Sequence, residues 1–209
     1  FAFPDGKVAM TVAVTPGNEF TLVGIWDTTE HKGQLAVLAN QGRGLEPVHT
    51  WPYFGMPNGG SYSGFKLLGY VDLPFATPTA IAAGSNKDTP VPGAQQGHWT
   101  ELDTQAARDE AREPRPCETC DPNHALATAG YAVVASRWEG KVAVVDLRPL
   151  FAFMIDRYVT TQENFDEANV LAAAAWPYTF ASHAQMTPTV ALVVDVDAPV
   201  SVLAGARRY

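Results

Sequence analysis

A group of residues able to bind a metal lies near the middle of the chain. Cys117, Cys120 and His124 have the spacing C-x2-C-x3-H, with Asp121 between them. Thiolate, imidazole and carboxylate are all zinc ligands, so this spacing could bring three of them to one ion. We favour a disulfide or a pair of free thiols and keep zinc as the alternative, because structural zinc sites usually have four ligands and the chain has only 2 cysteines. Covalent haem is not expected, since an aspartate and not a histidine follows the second cysteine.

Four aspartates end short hydrophobic runs and invite a catalytic interpretation. They are Asp27, Asp72, Asp146 and Asp195, at intervals of 45, 74 and 49 residues (27 to 72, 72 to 146, 146 to 195). A catalytic carboxylate is not expected to recur in this way. An aspartate at the end of a strand commonly accepts backbone N–H bonds from the next turn. We therefore predict that these four residues are structural turn caps.

Carboxylates near the end of the chain offer an alternative cation site. Asp195 and Asp197, together with Asp146 or Glu139, supply oxygen ligands of the kind that Ca²⁺ prefers. Their spacing does not match an EF-hand loop. We predict no resident cofactor beyond these zinc and calcium alternatives.

Histidines are the remaining candidates for catalysis. His49, His98 and His183 are predicted to lie in loops or at loop edges. Gathered around a central axis, such residues would indicate a metal-dependent hydrolase or a lactonase. The sequence contains no G-x-S-x-G, no H-E-x-x-H and no phosphate-binding glycine loop.

An aromatic segment is the candidate binding surface. Residues 40–64 are predicted as an irregular loop rich in glycine, proline and aromatic residues. Loops on a rigid scaffold commonly carry binding residues. The candidate ligand- or partner-binding residues are Trp51, Tyr53, Phe54 and Tyr62.

Composition excludes two classes of partner. The chain of 209 residues has a formal net charge of −8, and its 14 basic residues form no run. Nucleic-acid binding is therefore not expected, because contacts to phosphates need clustered Lys and Arg. No apolar run approaches the roughly 18–20 residues of a membrane-spanning helix. The partner we expect is another protein or the other subunits of a complex.

The start of the sequence bears on its origin. The chain begins at Phe1, without Met or a signal peptide, and its first residues resemble the interior of a domain. We expect a processed product or a fragment of a longer bacterial protein. An extracytoplasmic location, periplasmic or at the cell surface, would be compatible with an oxidised cysteine pair.

Short β-branched runs separated by turn residues predict an all-β protein. Turn signals such as Pro4-Asp5-Gly6 separate the runs. The predicted strands span residues 7–15, 20–27, 34–39, 65–73, 80–83, 131–137, 141–147 and 190–197. Consecutive strands joined by short loops make a meander, the unit of a propeller blade.

The spacing of the aspartates predicts a β-propeller. The longest interval contains the polar, proline-rich segment 86–128, which we interpret as an insertion. Without most of it, the intervals approach one period of roughly 40–50 residues, which is typical of propellers. We predict one domain over residues 1–209, with about four blades' worth of antiparallel meanders. A helix is predicted at 100–113 within the insertion and a second short helix within 160–175.

Several of these segments resemble a known family. Tyr131 to Leu147, YAVVASRWEGKVAVVDL, resembles the repeat of YVTN-type bacterial propellers, with a strand, a glycine and a strand that ends in a hydrophobic-Asp pair. Leu73 to Ala83 looks like the segment that links two such blades, and Pro4 to Lys7 is similar to a turn of the repeat. Ile25 to Thr28 is similar to the WD dipeptide of WD-repeat proteins.

The resemblance covers roughly two-thirds of the chain and implies a fold more than an activity. The family includes surface-layer proteins, binding scaffolds and some enzymes. The chain departs from it in its irregular intervals, its long insertion and its room for only about four blades, at the low end of the roughly 4–8 range. Missing blades in a longer parent protein would explain this.

The leading functional hypothesis is a non-catalytic propeller that serves as a binding or assembly module. One alternative is a propeller-type enzyme, a lactonase or metal-dependent hydrolase with an axial site. Another is a subunit of an electron-transfer or cofactor-carrying complex that docks through the cysteine-bearing insertion.

Overall fold

The chain is mostly β in structure. A computed structural model describes residues 2–17, 19–43, 49–50, 61–86, 104–112, 127–164, 166, 178–197 and 201–202. Within these ranges the strands form two antiparallel sheets that follow one another along the chain, accompanied by short helices.

The N-terminal sheet is an antiparallel meander of four long strands. Its strand order is β1-β2-β3-β5, and a two-residue strand, β4, also pairs with β3. The strands are β1 (Lys7–Val14), β2 (Phe20–Asp27), β3 (Lys32–Arg43), β4 (His49–Thr50) and β5 (Ser61–Asp72). The ends of the segment predicted as a loop at 40–64 therefore belong to strands, because residues 40–43 of β3 pair with residues 61–65 of β5.

The C-terminal sheet is a second four-stranded antiparallel meander. Its strand order is β6-β7-β8-β9. The strands are β6 (Ala80–Ser85), β7 (Gly130–Ser136), β8 (Lys141–Asp146) and β9 (Thr189–Asp195). The segments Thr77-Pro78-Thr79 and Thr187-Pro188-Thr189 lead into β6 and β9, the two edges of this sheet.

Helical segments accompany the sheets in the described residues, and residues 162–164 and 166, within the predicted second helix at 160–175, are among them. Helix α1 (Gln105–Arg112) confirms the helix predicted in the insertion. Helix α2 (Arg148–Val159) lies before the predicted second helix and was not expected. It begins with Pro149 in its first turn, a position that suits proline because its fixed φ is already helical. A 3-10 helix (Ala184–Met186) precedes β9.

The main hydrophobic core lies between the two sheets and α2. Phe20 and Leu22 of the N-terminal sheet, Val134 of the C-terminal sheet and Phe151 of α2 are all at most 2% exposed. The rings of Phe20 and Phe151 meet edge to face with their centroids 5.3 Å apart. One face of each sheet is thus buried against the other, as two-layer β packing requires.

The linker between the sheets is held at both ends. Gly33 donates its N–H to the carbonyl of Phe75 (3.0 Å) and accepts one from Leu73 (2.9 Å). A Cβ at Gly33 would lie 2.2 Å from the Phe75 oxygen, so only glycine fits this close approach. On the other side, the Glu139 carboxylate accepts bonds from the Ala76 and Thr77 amides (2.8 and 3.3 Å) and from the Thr77 hydroxyl (2.8 Å).

The two meanders repeat the same turn. In DTTEHK (27–32) and SRWEGK (136–141), an oxygen of the first side chain accepts the N–H of the fourth residue, a glutamate, at 3.0 and 3.3 Å. The fifth residue has positive φ in both, His31 at 52° and Gly140 at 60°. The sixth is a lysine that opens the third strand of its meander.

Each of these lysines forms an ion pair with the aspartate that ends the fourth strand. The Nζ–Oδ distances are 3.2 Å for Lys32–Asp72 and 2.6 Å for Lys141–Asp195. Asp27 and Ser136 open the equivalent turns. Asp27 points to the outer face of the N-terminal sheet, whereas Ser136 points to the inner face of the C-terminal sheet, as the strand pairings and core contacts require. Opposite faces of the two meanders therefore meet in the core, and the two meanders are stacked in the same orientation, head to tail.

The aspartate spacing has a different meaning from the one predicted. Asp27 and Asp72 belong to the N-terminal sheet, and Asp146 and Asp195 belong to the C-terminal sheet. The intervals 27–72 and 146–195 thus each lie within one sheet, and the interval 72–146 runs between the sheets. The described residues contain two meanders, not the predicted four, and these two do not close into a ring.

Candidate functional site

A chain of polar side chains crosses one end of the N-terminal sheet on its outer face. The residues lie at strand starts and strand ends, which meet at one edge because the strands run antiparallel. Lys7 Nζ lies 2.5 Å from Asp27 Oδ2, and it also donates to Gln34. Gln34 Nε2 donates to Asp72 at 2.6 Å, and Lys32 pairs with the same carboxylate at 3.2 Å.

The carboxylates of this polar chain are stabilised in their charged form. The Lys7 ammonium, followed by the backbone N–H of Glu30, lowers the pKa of Asp27 to about 2. Hydrogen bonding from Gln34, opposed by partial burial and assisted by Lys32, lowers the pKa of Asp72. The hydrogen bond to Asp72 in turn raises the pKa of Lys32. Charged and paired at neutral pH, these groups suit structural support better than proton transfer.

Tyr70 lies beside this polar chain. Its ring centroid is 4.8 Å from Lys7 Nζ, a cation–π distance. Burial, followed by the negative charge of Asp27, raises the pKa of the Tyr70 hydroxyl. That hydroxyl is buried and has no hydrogen-bond partner within the described part of the chain. With its pKa raised, the hydroxyl stays protonated at neutral pH.

A groove lies between α2 and the segment that precedes β9. Its volume is about 430 Å³, and it is lined by Pro149, Ala152, Phe153, Asp156, Arg157, His183 and Gln185. The His183 ring packs against Phe153 and Tyr178 at centroid distances of 5.3 and 4.9 Å. The Arg157 guanidinium lies 4.8 Å from the Tyr178 ring centroid. The groove thus combines one aromatic wall with a cationic and an acidic group.

Ser182 and His183 do not form a nucleophile–base pair of the usual kind. Their contact, Oγ to Nδ1 at 2.9 Å, joins neighbouring residues in a turn. The same hydroxyl bonds to Thr179, accepting its N–H at 2.9 Å and donating to its carbonyl at 3.2 Å. These bonds close the turn that holds His183 in place, which is a structural task.

The four aspartates predicted as turn caps lie at strand ends and make two kinds of contact. Asp27 accepts the N–H groups of Thr29 and Glu30, each at 3.0 Å. Asp146 accepts the N–H of Arg148 at 2.9 Å and pairs with its guanidinium at 2.6 Å. Asp72 and Asp195 instead form the lysine ion pairs of their sheets.

The other predicted site residues mostly lie outside the described residues. This is so for Trp51, Tyr53 and Phe54, for Cys117, Cys120, Asp121 and His124, and for His98. The backbone of Tyr62 belongs to β5, and that of His49 to β4. The structure therefore leaves the aromatic surface and the cysteine pair as predictions.

Metal chemistry has no support in the described ranges. No group of three or more His, Cys, Asp or Glu residues there is arranged to hold an ion. The calcium alternative at Asp195 and Asp197 falls on a shallow acidic depression that also includes Glu139 and Val196. Here the Asp195 carboxylate is bound to Lys141 instead.

Two exposed apolar edge strands are the feature that sequence reasoning missed. On β1, Val8, Met10, Val12 and Val14 are 41–62% exposed; on β9, Leu192, Val193 and Val194 are 41–54% exposed. The aliphatic residues on both faces of these strands are visible in the sequence. That pattern is typical of a central, buried strand, so it did not predict an exposed edge. Edge strands usually carry lysine, proline or charges that discourage pairing with other chains.

No helix in the described residues is long and apolar enough to cross a membrane. Comparisons with family models, with curated proteins and with solved structures found no match to this chain.

Proposed function

We propose that this chain is a non-catalytic binding or assembly module that joins other β-structure through its exposed edge strands. The observation that carries the proposal is the exposure of aliphatic side chains on β1 and β9, one edge strand of each sheet. Such edges present unpaired backbone groups and apolar side chains together, the combination used in β-strand addition. The predicted aromatic residues Trp51, Tyr53, Phe54 and Tyr62 remain candidates for the same task.

We further propose that the two meanders are consecutive blades of a propeller. The repeated turn, the repeated Lys–Asp pair and the head-to-tail stacking support this. Propellers repeat such units around an axis, commonly with roughly 4–8 blades. Further blades would come from a longer parent chain or from an assembly.

The experiment measures native complexes in cells that produce the protein. A tagged chain is expected in complexes larger than its own 22.5 kDa. Val12→Lys on β1 and Leu192→Lys on β9 are expected to release it, because a lysine at an edge discourages strand pairing. A tagged chain found only at its own mass, or variants that leave the complexes intact, would overturn the proposal.

An extracytoplasmic location belongs to the proposal and has its own test. In an oxidising compartment, Cys117 and Cys120 are expected to form a disulfide. The mass of native protein alkylated under denaturing conditions should then increase only after reduction. Alkylation of both thiols without reduction would argue for a reducing compartment or a metal-bound pair.

One observation favours a second candidate, a hydrolase. Asp156 and His183 line the same groove, with Arg157 able to bind an anionic substrate group. Hydrolysis of lactone or ester substrates by the purified protein, abolished by His183→Ala, would support it. Unchanged hydrolysis in that variant would exclude this groove as the active site.

A further inference from the structure

We propose that β9 pairs with β9 of a second copy, antiparallel about a two-fold axis, so that two C-terminal sheets become one continuous sheet. This inference rests on the proposed function, because it names the partner of one of the exposed edges.

β9 is an edge strand of the C-terminal sheet with exposed side chains. β9 pairs with β8 on one side, and no other strand of the described residues pairs with it. Val193 faces the same side as the core residue Ala143, its register partner, yet it is 41% exposed. Leu192 and Val194 face the other side and are 54% and 41% exposed. Within the part of the chain that the structure describes, side chains on both faces of this strand are therefore exposed.

Residues that would discourage pairing with another strand are missing from Val190 to Val194 of β9. The residues from Val190 to Val194 are all aliphatic, without lysine, proline or a charge. The charge that follows, Asp195, is neutralised by Lys141 at 2.6 Å. A register shift opposite Val144 and Val145 falls in the first half of β9, before Leu192. From Leu192 to Asp195 the strand follows β8 in regular register, and no other strand of the described residues pairs with it.

The sequence of β9 suits pairing with a second copy of itself. A two-fold axis at Val193 places Leu192 of one copy opposite Val194 of the other, so aliphatic side chains meet on both faces. Asp195 then lies opposite Ala191, and the two carboxylates do not face each other. The pairing is thus self-complementary in shape and in charge.

The alternative edge, β1, is a less suitable place for self-pairing. It lies against β6 at the junction between the sheets, and a register shift interrupts it in the middle, between Ala9 and Thr11. It also carries Lys7, which is committed to Asp27. Phe65 on β5 is 43% exposed, lies on neither proposed binding edge, and supplies the control position.

The net charge predicts the salt dependence of the dimer. Each copy carries a formal charge of −8, so two copies repel one another over long range. Added salt screens this repulsion, and the dimer is expected to become tighter as salt is raised. A basic apolar peptide at the same edge would bind more weakly at high salt.

The experiment measures molar mass by light scattering over a concentration series of the purified chain. The wild type is expected to pass from 22.5 kDa to twice that mass. Val193→Lys places two lysines opposite each other on the axis and should raise the dimer Kd at least about tenfold. Phe65→Lys should leave the Kd unchanged, because Phe65 lies on β5 of the other sheet. Circular dichroism checks that each variant is folded.

A charge-swap pair makes the test specific for the axis. Val193→Lys and Val193→Glu should each be monomeric alone and should form a heterodimer when mixed. A monomeric wild type at about 0.5 mM, far above a typical micromolar Kd, would overturn self-pairing. So would a mixture that stays monomeric, or a dimer broken by Phe65→Lys and not by Val193→Lys. The broader proposal is judged separately, by whether Val12→Lys on β1, which lies outside the β9 pairing, releases the tagged chain from complexes with other proteins.

Discussion

Lys7 Nζ and Asp27 Oδ2 lie 2.5 Å apart, and the aspartate side chain is only 4% exposed. The pair joins the first residue of β1 to the last residue of β2. Asp27 at the same time caps the β2–β3 turn through the N–H groups of Thr29 and Glu30. One carboxylate therefore connects the first three strands, and its charge state matters for the whole sheet.

The pH dependence of stability should report this carboxylate. The pKa of Asp27 is about 2 in the folded chain against an ordinary value of 3.8. Its contribution is complete above about pH 4 and is lost as pH falls from there through 2, because only the folded state holds the proton off. Urea unfolding of the wild type and Asp27→Asn should show a gap at pH 7 that closes near pH 2.

A control separates this effect from net charge alone. Asp197→Asn removes one negative charge from an exposed position beyond β9. It should not reproduce the destabilisation of Asp27→Asn at pH 7. Parallel stability curves for the wild type and Asp27→Asn across the whole pH range would contradict the assignment.

The repeated turn provides a matched pair of backbone substitutions. His31 holds φ at 52°, where a side chain is strained, whereas Gly140 occupies the equivalent place at 60° without that cost. We expect His31→Gly to be neutral or to stabilise the chain by up to about 1 kcal/mol. Gly140→Ala should destabilise it by about 1 kcal/mol or more, since the new Cβ would also lie 2.9 Å from the Val196 oxygen. Thermal unfolding measures both, and equal effects of the same sign would refute the equivalence.

The glutamates of the two turns should differ in importance. Glu139 holds the linker through Ala76 and Thr77, whereas Glu30 pairs with the half-exposed Lys32 at 3.6 Å. Glu139→Ala should cost about 1 kcal/mol and speed hydrogen exchange at the amides of residues 76 and 77. Glu30→Ala should change stability by no more than about 0.5 kcal/mol. Similar losses in both variants would show that the linker bonds do not matter.

The edge-to-face pair Phe20–Phe151 should be a major support of the core. Both rings are at most 2% exposed, so Phe151→Ala should cost about 3–5 kcal/mol. A double-mutant cycle with Phe20→Leu and Phe151→Leu should give a coupling of about 0.5–1.5 kcal/mol. Trp138→Ala, at a side chain that is 75% exposed, is the control and should cost no more than about 0.5 kcal/mol. Urea unfolding measures all of these, and additive single changes would argue against direct contact.

Much of the strand content could be predicted because the signals are local. Turn residues such as Pro16-Gly17 bound each run, and strands β1, β2, β7 and β8 match the predicted spans to within about one residue. Helix α2 was missed because four of its residues, Leu150, Phe151, Phe153 and Met154, are buried, and an apolar sequence around most of a helix gives little periodicity.

The candidate site was less accessible from the sequence. The pairing of Lys7 with Asp27 and the approach of Gly33 to Phe75 depend on strand register and on sheet packing, which local patterns do not encode. Asp72 forms an ion pair and not the predicted turn cap for the same reason, because its partner Lys32 lies 40 residues away along the chain. Exposure of β9 is likewise a property of sheet order, while its unbroken aliphatic run is visible in the sequence.

The contact between Phe20 and Phe151 has a consequence for how the chain folds. Most pairings within the N-terminal meander connect neighbouring strands, so their loops are short and close quickly. The two rings, by contrast, are separated by 131 positions along the chain (20 to 151). Contacts of such high sequence separation form late and slow the folding rate. The rate-limiting step of folding should therefore be the docking of α2 and the second meander onto the first, and not the formation of the hairpins within either meander.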